Sequence, residues 1–452
     1  MHESGESMKI YNSYTNQLET FVPHRPGVVS MYVCGPTVYS YIHIGNARPV
    51  VFFDTVRRYF EWIGYQVKFA SNFTDVDDKI IEKAIATAQD ELTVANYYID
   101  AFLQDVSRLG SKTDYIQPRV TEYMTQIVDY IQELIALGYA YQVEGDVYFR
   151  VEKIAEYGRL SGRKIDDLIS GSRVEINPLK ESPLDFTLWK KTSEGIAWDT
   201  PLSKGRPGWH TECVAMIDHI FGEEIDIHGG GTDLLFPHHE NEIAQSLACH
   251  SHPVSRYWMH NGRLNLEGEK MSKSLGNTVL VKDLANDLRP FRMFLLSTHY
   301  RAPINYSTDA LSQYEKEWQR IEKTIQTLYR NLDLNDAFSL DVAIEDARLI
   351  ALEQEFKAAM DQDFNTPNAF TVINQMIKLI NQMLREKSDF YLYNRALELL
   401  KKMLDVLGLE PKLQRLTESD KTLYKDWENA RKAKNFALAD ELRQALVRRE
   451  IL

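Results

Sequence analysis

Val28-Val29-Ser30-Met31-Tyr32-Val33-Cys34 is a short, largely apolar run closed by Gly35-Pro36. A run of that length bounded by chain breakers reads as a buried strand. Downstream, Val51, Phe52, Val56, Tyr59 and Phe60 recur at helical spacing, which predicts a helix over 48–63; Gly64 closes it before a second strand at 65–70. Strand, helix and strand in that order form a β-α-β unit, the building block of a parallel sheet. Working outward, helical patterns at 78–88, 93–109 and 119–137 lead to a hairpin at 139–151 turning on Glu144-Gly145-Asp146. The polar, irregular stretch 112–204 reads as an insertion, because strand and helix alternate again at 208–220, at 224–228, in a helix opening at Pro237, and at 257–260. Beyond Tyr306 only helical spacing remains, carried by Leu311, Tyr314, Trp318, Ile321, Ile325 and Leu328, by Leu349, Leu352 and Phe356, and by Leu397, Leu400, Leu404 and Leu407. Thr366-Pro367 supplies a cap and a first-turn proline for one of these helices.

Composition narrows the class. The 452 residues are 44% hydrophobic and 26% charged, an ordinary globular balance with room for two to four domains. No run approaches the roughly 18 apolar residues that span a bilayer, so no membrane association is expected. Three cysteines cannot build a disulfide framework, and Met1-His2-Glu3-Ser4-Gly5-Glu6-Ser7 lacks the parts of a signal peptide; a cytoplasmic location is the expectation. A net charge of −13 argues against indiscriminate binding to phosphate backbones, so a nucleic-acid partner would meet local basic patches.

Cys34 ends the first strand, Cys213 lies in the 208–220 helix, and His238 and Glu242 stand four apart in Pro237-His238-His239-Glu240-Asn241-Glu242. With Pro237 at the first helical position, one face presents both side chains. Thiolate, imidazole and carboxylate all serve zinc, so the four read as a candidate zinc site, although separations as long as 34 to 213 also arise by chance. His239 and Glu240 would face other sides of that helix, and Cys249 reads as a small buried hydrophobe. His43-Ile44-Gly45-Asn46 falls between the first strand and its helix, where an imidazole and helix N-H groups can hold phosphates; a plain helix-starting turn fits those four residues as well. Lys270-Met271-Ser272-Lys273-Ser274 follows a β-like stretch at 263–266 and a Gly268 turn. Two lysines on such a loop can neutralise charge on a breaking triphosphate. Near the end, Arg431, Lys432 and Lys434 stand beside Trp427 and Phe436, a mixture that reads either as an RNA-binding surface or as a solvated helix face over two core aromatics.

The His43-Ile44-Gly45-Asn46 and Lys270-Met271-Ser272-Lys273-Ser274 motifs together resemble the paired signatures of class I aminoacyl-tRNA synthetases. Longer strings narrow the likeness: Tyr32-Val33-Cys34-Gly35-Pro36-Thr37-Val38-Tyr39, Asn72-Phe73-Thr74-Asp75-Val76-Asp77-Asp78-Lys79, Gly205-Arg206-Pro207-Gly208-Trp209-His210-Thr211-Glu212-Cys213, and Asp226-Ile227-His228-Gly229-Gly230-Gly231 onward to Glu242. Over nearly its whole length the chain resembles the cysteinyl-tRNA synthetase family. That resemblance implies an α/β fold: a Rossmann-like parallel-sheet catalytic domain in two halves (8–111 and 205–260) split by a connective insertion (112–204). A linker domain carrying the lysine loop (261–306), a helical anticodon-side bundle (307–410) and a small C-terminal tRNA-binding domain (411–452) would follow. It implies one zinc per chain on Cys34, Cys213, His238 and Glu242, with the substrate thiolate adding to the metal. Serine would then lose a metal bond rather than a methylene contact. It further implies catalytic roles for His43, Asn46, Lys270 and Lys273, and ATP contacts from His43, Gly45, Asn46, Gly229, Gly230 and Lys273. Thr74, Trp209, His228 and Asp233 would form the amino-acid pocket. Arg431, Lys432 and Lys434 would touch tRNA. Substrates would be L-cysteine, Mg-ATP and tRNA-Cys, and a monomer is expected.

Two departures stand out. The fourth residue of the first motif is Asn46 rather than histidine, a side chain that hydrogen-bonds but carries no proton or charge. The chain also ends at Leu452, where the family typically continues into a short tail, so some anticodon contacts are expected to be absent or replaced. Two competing readings share the motifs. One is a ligase resembling the mycothiol-pathway enzyme, which passes activated cysteine to an amino sugar and needs no helical, basic C-terminal half. The other is a non-catalytic cysteine- or tRNA-binding relative, which would be expected to lose ligands or lysines that this chain keeps.

Overall fold

A computed structural model of the chain describes residues 7–164, 177–266, 278–338, 346–449 and 451, with 269–270 as backbone. A hairpin, β1 Lys9–Asn12 with β2 Gln17–Thr20, precedes the anticipated unit of β3 Val28–Val33, α1 Ile44–Trp62 and β4 Gln66–Ser71. β3 and β4 run parallel, in register from Val28↔Gln66 to Val33↔Ser71. Helices α2 Asp78–Thr87, α3 Glu91–Arg108 and α4 Met124–Ala136 follow. β5 Ala140–Val143 and β6 Asp146–Phe149 then join β7 Phe186–Lys191, β8 Trp198–Asp199 and β9 Lys204–Pro207 in an antiparallel sheet of order β5-β6-β7-β9-β8. The parallel pattern resumes with α5 Trp209–Phe221, β10 Ile225–Gly231, α6 Glu240–His250 and β11 Ser255–Asn261, giving a four-stranded parallel sheet ordered β11-β10-β3-β4. After it come β12 Leu264–Leu266, β13 Glu269–Lys270, α7 Arg289–Leu296 and β14 Ile304–Tyr306.

α1 begins four residues earlier than its apolar spacing predicts. Its N-cap is His43, whose ring Nδ1 accepts the Gly45 N–H at 3.1 Å, while the Asn46 side chain accepts the His43 N–H at 3.2 Å. This reciprocal pair satisfies helix-end donors as a Ser/Thr and Glu box does, a signal that hydrophobic periodicity does not register. α1 is also enclosed on almost every side, with Arg48, Asp54, Thr55 and Arg57 buried beside Val51, Phe52, Val56 and Phe60. Arg48 pays its desolvation by donating to the carbonyls of Gly262 (2.7 Å) and Arg263 (3.1 Å).

Pro237 does not open a regular helix. Leu235–His239 forms an irregular turn in which Phe236 is extended (φ −142°, ψ 131°), and regular helix begins at Glu240. The ring of a proline drives the residue before it toward extended backbone, which ends helical geometry at that point. Likewise Thr366 gives its hydroxyl to the Leu296 carbonyl at 2.6 Å, although its helix starts there as expected.

The chain divides into two compact units. The first is Met1–Tyr314 with Ala358–Pro367 and Val406–Gly408, and it contains all four described sheets. The second comprises Glu315–Lys357, Asn368–Asp405 and Leu409–Leu452. Its helices are drawn from α8 Thr308–Leu334, α9 Ala347–Asp361, α10 Thr366–Glu386, α11 Phe390–Val406, α12 Glu418–Lys432 and α13 Phe436–Arg448. Trp318, Ile321, Ile325 and Leu328 of α8 are buried, as their spacing requires. The last stretch is a helical hairpin, broken at Ala433–Asn435, where Lys434 takes φ 57° and the Asn435 side chain caps α13 through the Leu438 N–H.

Candidate active site

From β3 the chain crosses to β4 on one side of the sheet, and from β10 it crosses to β11 on the other, so strand order reverses between β3 and β10. The crevice outside the carboxyl ends of such a pair is where open parallel sheets bind ligands. Cys34 is the first residue beyond β3, tied there by its N–H to the Gly229 carbonyl at 3.2 Å. Gly230 and Gly231 end β10 beside it.

Four elements converge on this point. Cys34 Sγ lies 3.7 Å from Cys213 Sγ on α5 and 3.6 Å from Glu242 Oε1 on α6, and Glu242 Oε1 is 2.8 Å from His238 Nε2. One donor atom each from Cys34, Cys213, His238 and Glu242 fits within 4.8 Å. His238 Nε2 is buried, and close as it is to Glu242 it makes no hydrogen bond of proper geometry. A buried imidazole nitrogen and a carboxylate oxygen set this close to two thiols form a donor set that a common cation would join. The Glu242 second oxygen binds His228 Nε2 at 2.7 Å, and His228 Nδ1 is held by the Tyr32 carbonyl at 3.1 Å. His239, expected on another face, instead turns Nε2 to within 3.3 Å of Cys34 Sγ, so Cys34, His228, His239 and Glu242 make an overlapping second donor group. The irregular backbone at 235–239 breaks the 100° helical phase on which the expectation rested. Glu240 does face away, accepting the Ser161 N–H at 2.9 Å.

Of these donors, Cys34 lines a cavity of about 340 Å³. Cys34, His43, Gly45, Asn46, Gly230 and Asp233 all line it, so the first motif and the cysteine share one space. Backbone bonds fix its rim: Ile44 N–H to the Val279 carbonyl (2.9 Å) and Val281 N–H to the Ile42 carbonyl (3.1 Å) fasten the chain that follows the lysine motif to the first motif. Lys270 stands on β13, paired with Asn265; Lys273 lies outside the described residues. Gly229 is not on the cavity wall. A Cβ there would meet the Phe53 ring at 2.3 Å, so this glycine serves close packing of α1 on the sheet, whereas Gly230 does face the cavity. Trp209 is 41% exposed and stacks on the His238 ring at 4.2 Å, which excludes a core role. Thr74 is buried and donates to Glu212 at 3.3 Å, and Asp233 is exposed at the cavity edge. Sequence reasoning passed over Asn72, whose Oδ1 accepts the Gly35 N–H at 2.9 Å and lies 3.7 Å from Cys213 Sγ, though it sits two residues before Thr74 in a quoted motif.

Residues 20–316 match the protein family described as tRNA synthetases class I (C) catalytic domain, and residues 355–410 match the DALR domain. The cysteine–tRNA ligase of Geobacillus sp. (strain WCH70) is 48% identical over 455 aligned residues, covering 99% of this chain and 97% of that protein. The chain belongs to the cysteine–tRNA ligase family. A second member, from Anoxybacillus flavithermus, is 46% identical over the same shares. Among solved structures, Mycobacterium tuberculosis methionyl-tRNA synthetase in complex with methionyl-adenylate superposes with TM-score 0.60 at 15% identity (84% of this chain, 89% of that one). The Agrobacterium radiobacter leucyl-tRNA synthetase complex gives 0.62 at 10% identity and 88% of each chain. At such identities these two establish the class I fold alone.

In this member of the cysteine–tRNA ligase family, burial governs the charges around the cluster. Burial and the neighbouring His238 hold His210 down to about 3, burial holds His260 down to about 3, and burial with His228 keeps His239 well below the usual imidazole range. These rings are neutral, and His239 Nδ1 pairs with His260 Nε2 at 2.7 Å while His260 Nδ1 meets Ser13 Oγ at 3.0 Å. Burial pulls His238 down, but the charge and contact of Glu242 together with those of Cys213 outweigh it and raise His238 to about 10. Burial and Cys213 push Glu212 well above the carboxylate range, and it accepts a hydrogen bond from Thr74.

Proposed function

We propose that the chain activates L-cysteine with Mg-ATP to cysteinyl-adenylate and transfers it to the 3′ end of tRNA-Cys, and that one zinc on Cys34, Cys213, His238 and Glu242 selects the substrate thiol. The observation that carries this reading is the convergence of those four donors, one of which, Cys34, lines the same cavity as His43, Gly45 and Asn46. Two thiolates, an imidazole and a carboxylate suit zinc, and such an ion would supply a bond that sulfur makes well and a hydroxyl makes poorly. Trp209 would cover the amino-acid side, Asp233 would offer charge to the substrate ammonium, and Thr74 with His228 would back the pocket.

Activation needs the substrate carboxylate in line with the α-phosphorus. His43 and Asn46 at the N-terminus of α1 favour phosphate charge there, because the helix end presents unpaired N–H groups and positive potential. Because the Asn46 oxygen is engaged by the His43 N–H, its amide N–H₂ is the part left to donate to phosphate. Lys270 and Lys273 would offset charge on departing pyrophosphate, a positioning and electrostatic role with no covalent step. Residues 8–111 and 205–260 would then be the catalytic halves, 112–204 the connective insertion, 261–306 the linker, 307–410 the anticodon-side bundle, and 411–452, with Arg431, Lys432 and Lys434, the terminal tRNA contact.

The test is charging of tRNA by labelled cysteine with ATP present and serine as control. Charging with cysteine alone supports the reading. Cysteine-dependent pyrophosphate exchange without charging would move it to a small-molecule acceptor, and no exchange would remove it.

A further inference from the structure

Three tyrosines pack together near the first motif, Tyr97 exposed and Tyr41 and Tyr98 half-buried. Tyr41 precedes the first motif by two residues, and Tyr97 and Tyr98 lie on α3, one helical turn before Phe102, which lines the cavity. Their rings meet edge to face: Tyr41 with Tyr98 at 5.4 Å, Tyr97 with Tyr98 at 5.1 Å, and Tyr41 with Tyr97 at 6.1 Å. The hydroxyls of Tyr41 and Tyr97 bond each other, and Tyr97 is 55% exposed. Lys282 places its ammonium 4.2 Å from the Tyr41 ring centroid, just after the Val281 N–H that is bonded to Ile42; its acidic neighbour Asp283 is 4.0 Å away. A cluster of partly exposed rings with a cation over one of them marks a binding surface rather than a core.

We infer that Tyr41, Tyr97, Tyr98 and Lys282 form a stacking platform for the unpaired 3′ nucleotides of the acceptor RNA. This rests on the ligase reading, which requires the terminal ribose hydroxyl to reach an activated carbonyl in the adjoining cavity. Two features of the patch favour unpaired nucleotides over other occupants. Every base has a π-face that aromatic rings accept without sequence preference, and the Lys282 ammonium over the Tyr41 ring supplies the charge that complements the phosphate between stacked bases. In a chain of net charge −13 that local cation is placed against the overall field.

The experiment compares the parent chain with Tyr97→Leu, Tyr97→Phe and Tyr41→Leu, using tRNA-Cys transcripts with and without the unpaired 3′ nucleotides. Each leucine variant is expected to lose roughly tenfold in kcat/KM for charging, the order contributed by one stacked base, while Tyr97→Phe keeps parental charging. Cysteine-dependent pyrophosphate exchange, which uses no RNA, should be unchanged. Truncating the RNA should weaken binding to the parent and leave parent and variants equal. Unchanged charging by both leucine variants, or an equal loss of affinity for truncated RNA, would overturn the platform. A parallel fall in pyrophosphate exchange would overturn it too, by making the tyrosines part of the cavity's structure. No charging by the parent itself would instead sink the ligase reading and this inference together.

Discussion

At the scale of single residues, the donor cluster decides what the site can do. Removing one thiolate while keeping its size separates metal binding from packing, so Cys213→Ser is expected to lose bound zinc, with affinity falling beyond the ten- to hundredfold typical of removing an outer-sphere partner. Metal analysis of the purified variant beside cysteine-dependent pyrophosphate exchange checks this; full metal content with full activity would remove the assignment. The four donors were readable in the sequence because cysteines are few, His238 and Glu242 stand four apart, and the family resemblance joins the set. His239 was not, since its orientation depends on irregular backbone that spacing rules do not cover. His260 and Asn72 were missed because a buried polar residue leaves no periodic trace. Their burial has its own consequence. The folded state holds His260 at about 3 against an ordinary 6.5, so the unfolded chain binds that proton first. Its contribution is therefore fully present above about pH 6.5 and is lost as pH falls toward 3. Replacing it by asparagine should flatten the decline of the urea midpoint across that window, and parallel midpoint curves for parent and His260→Asn would exclude the role.

Elements obey their sequence signals where one apolar face suffices to place them. The β3-α1-β4 unit, the 140–149 hairpin and the strands β10 and β11 all appear where spacing and turn residues put them. What spacing could not show is the polar side of α1, since an enclosed helix needs partners for its buried charges and those come from distant segments. Arg292 of α7 illustrates this. Fully buried, it donates to Asp54 Oδ2 of α1 at 2.6 Å, to the Leu109 carbonyl at 3.0 Å, to Ser111 Oγ at 2.8 Å and to the Leu407 carbonyl at 2.5 Å. Breaking a buried pair from one side strands the other charge, which costs about 3–5 kcal/mol. Arg292→Met should approach that loss in urea unfolding, softened because Asp54 also holds Arg58 at 2.8 Å. Adding Asp54→Asn should recover part of it. A double variant whose loss is the plain sum of the singles would show that the pair is not coupled.

For the whole molecule, a chain of net charge −13 has to bind a polyanion through a few favourable places. We propose the tip of the α12–α13 hairpin as one such place. Arg431 lies 4.7 Å from the Trp427 ring, Lys432 ends α12, Lys434 sits in the left-handed turn, and Phe436 is 70% exposed. The sequence left two readings of this segment open, because composition alone does not tell a solvated helix from a hairpin tip. An exposed Phe436 disposes of the version in which both aromatics are core. Charge and stacking at the tip can then be separated by their salt dependence. Each phosphate contact releases counterions, so Arg431→Ala and Lys432→Ala should each weaken tRNA binding and lower the slope of log affinity against log salt by about one. Phe436→Ser removes a ring without a charge, so it should weaken binding by a similar factor at every salt concentration and leave the slope unaltered. None of the three should change cysteine-dependent pyrophosphate exchange, which involves no RNA. If the arginine and lysine variants bind tRNA with parental affinity and slope, the tip is a solvated turn and the RNA contact must be sought on other basic surfaces of the chain.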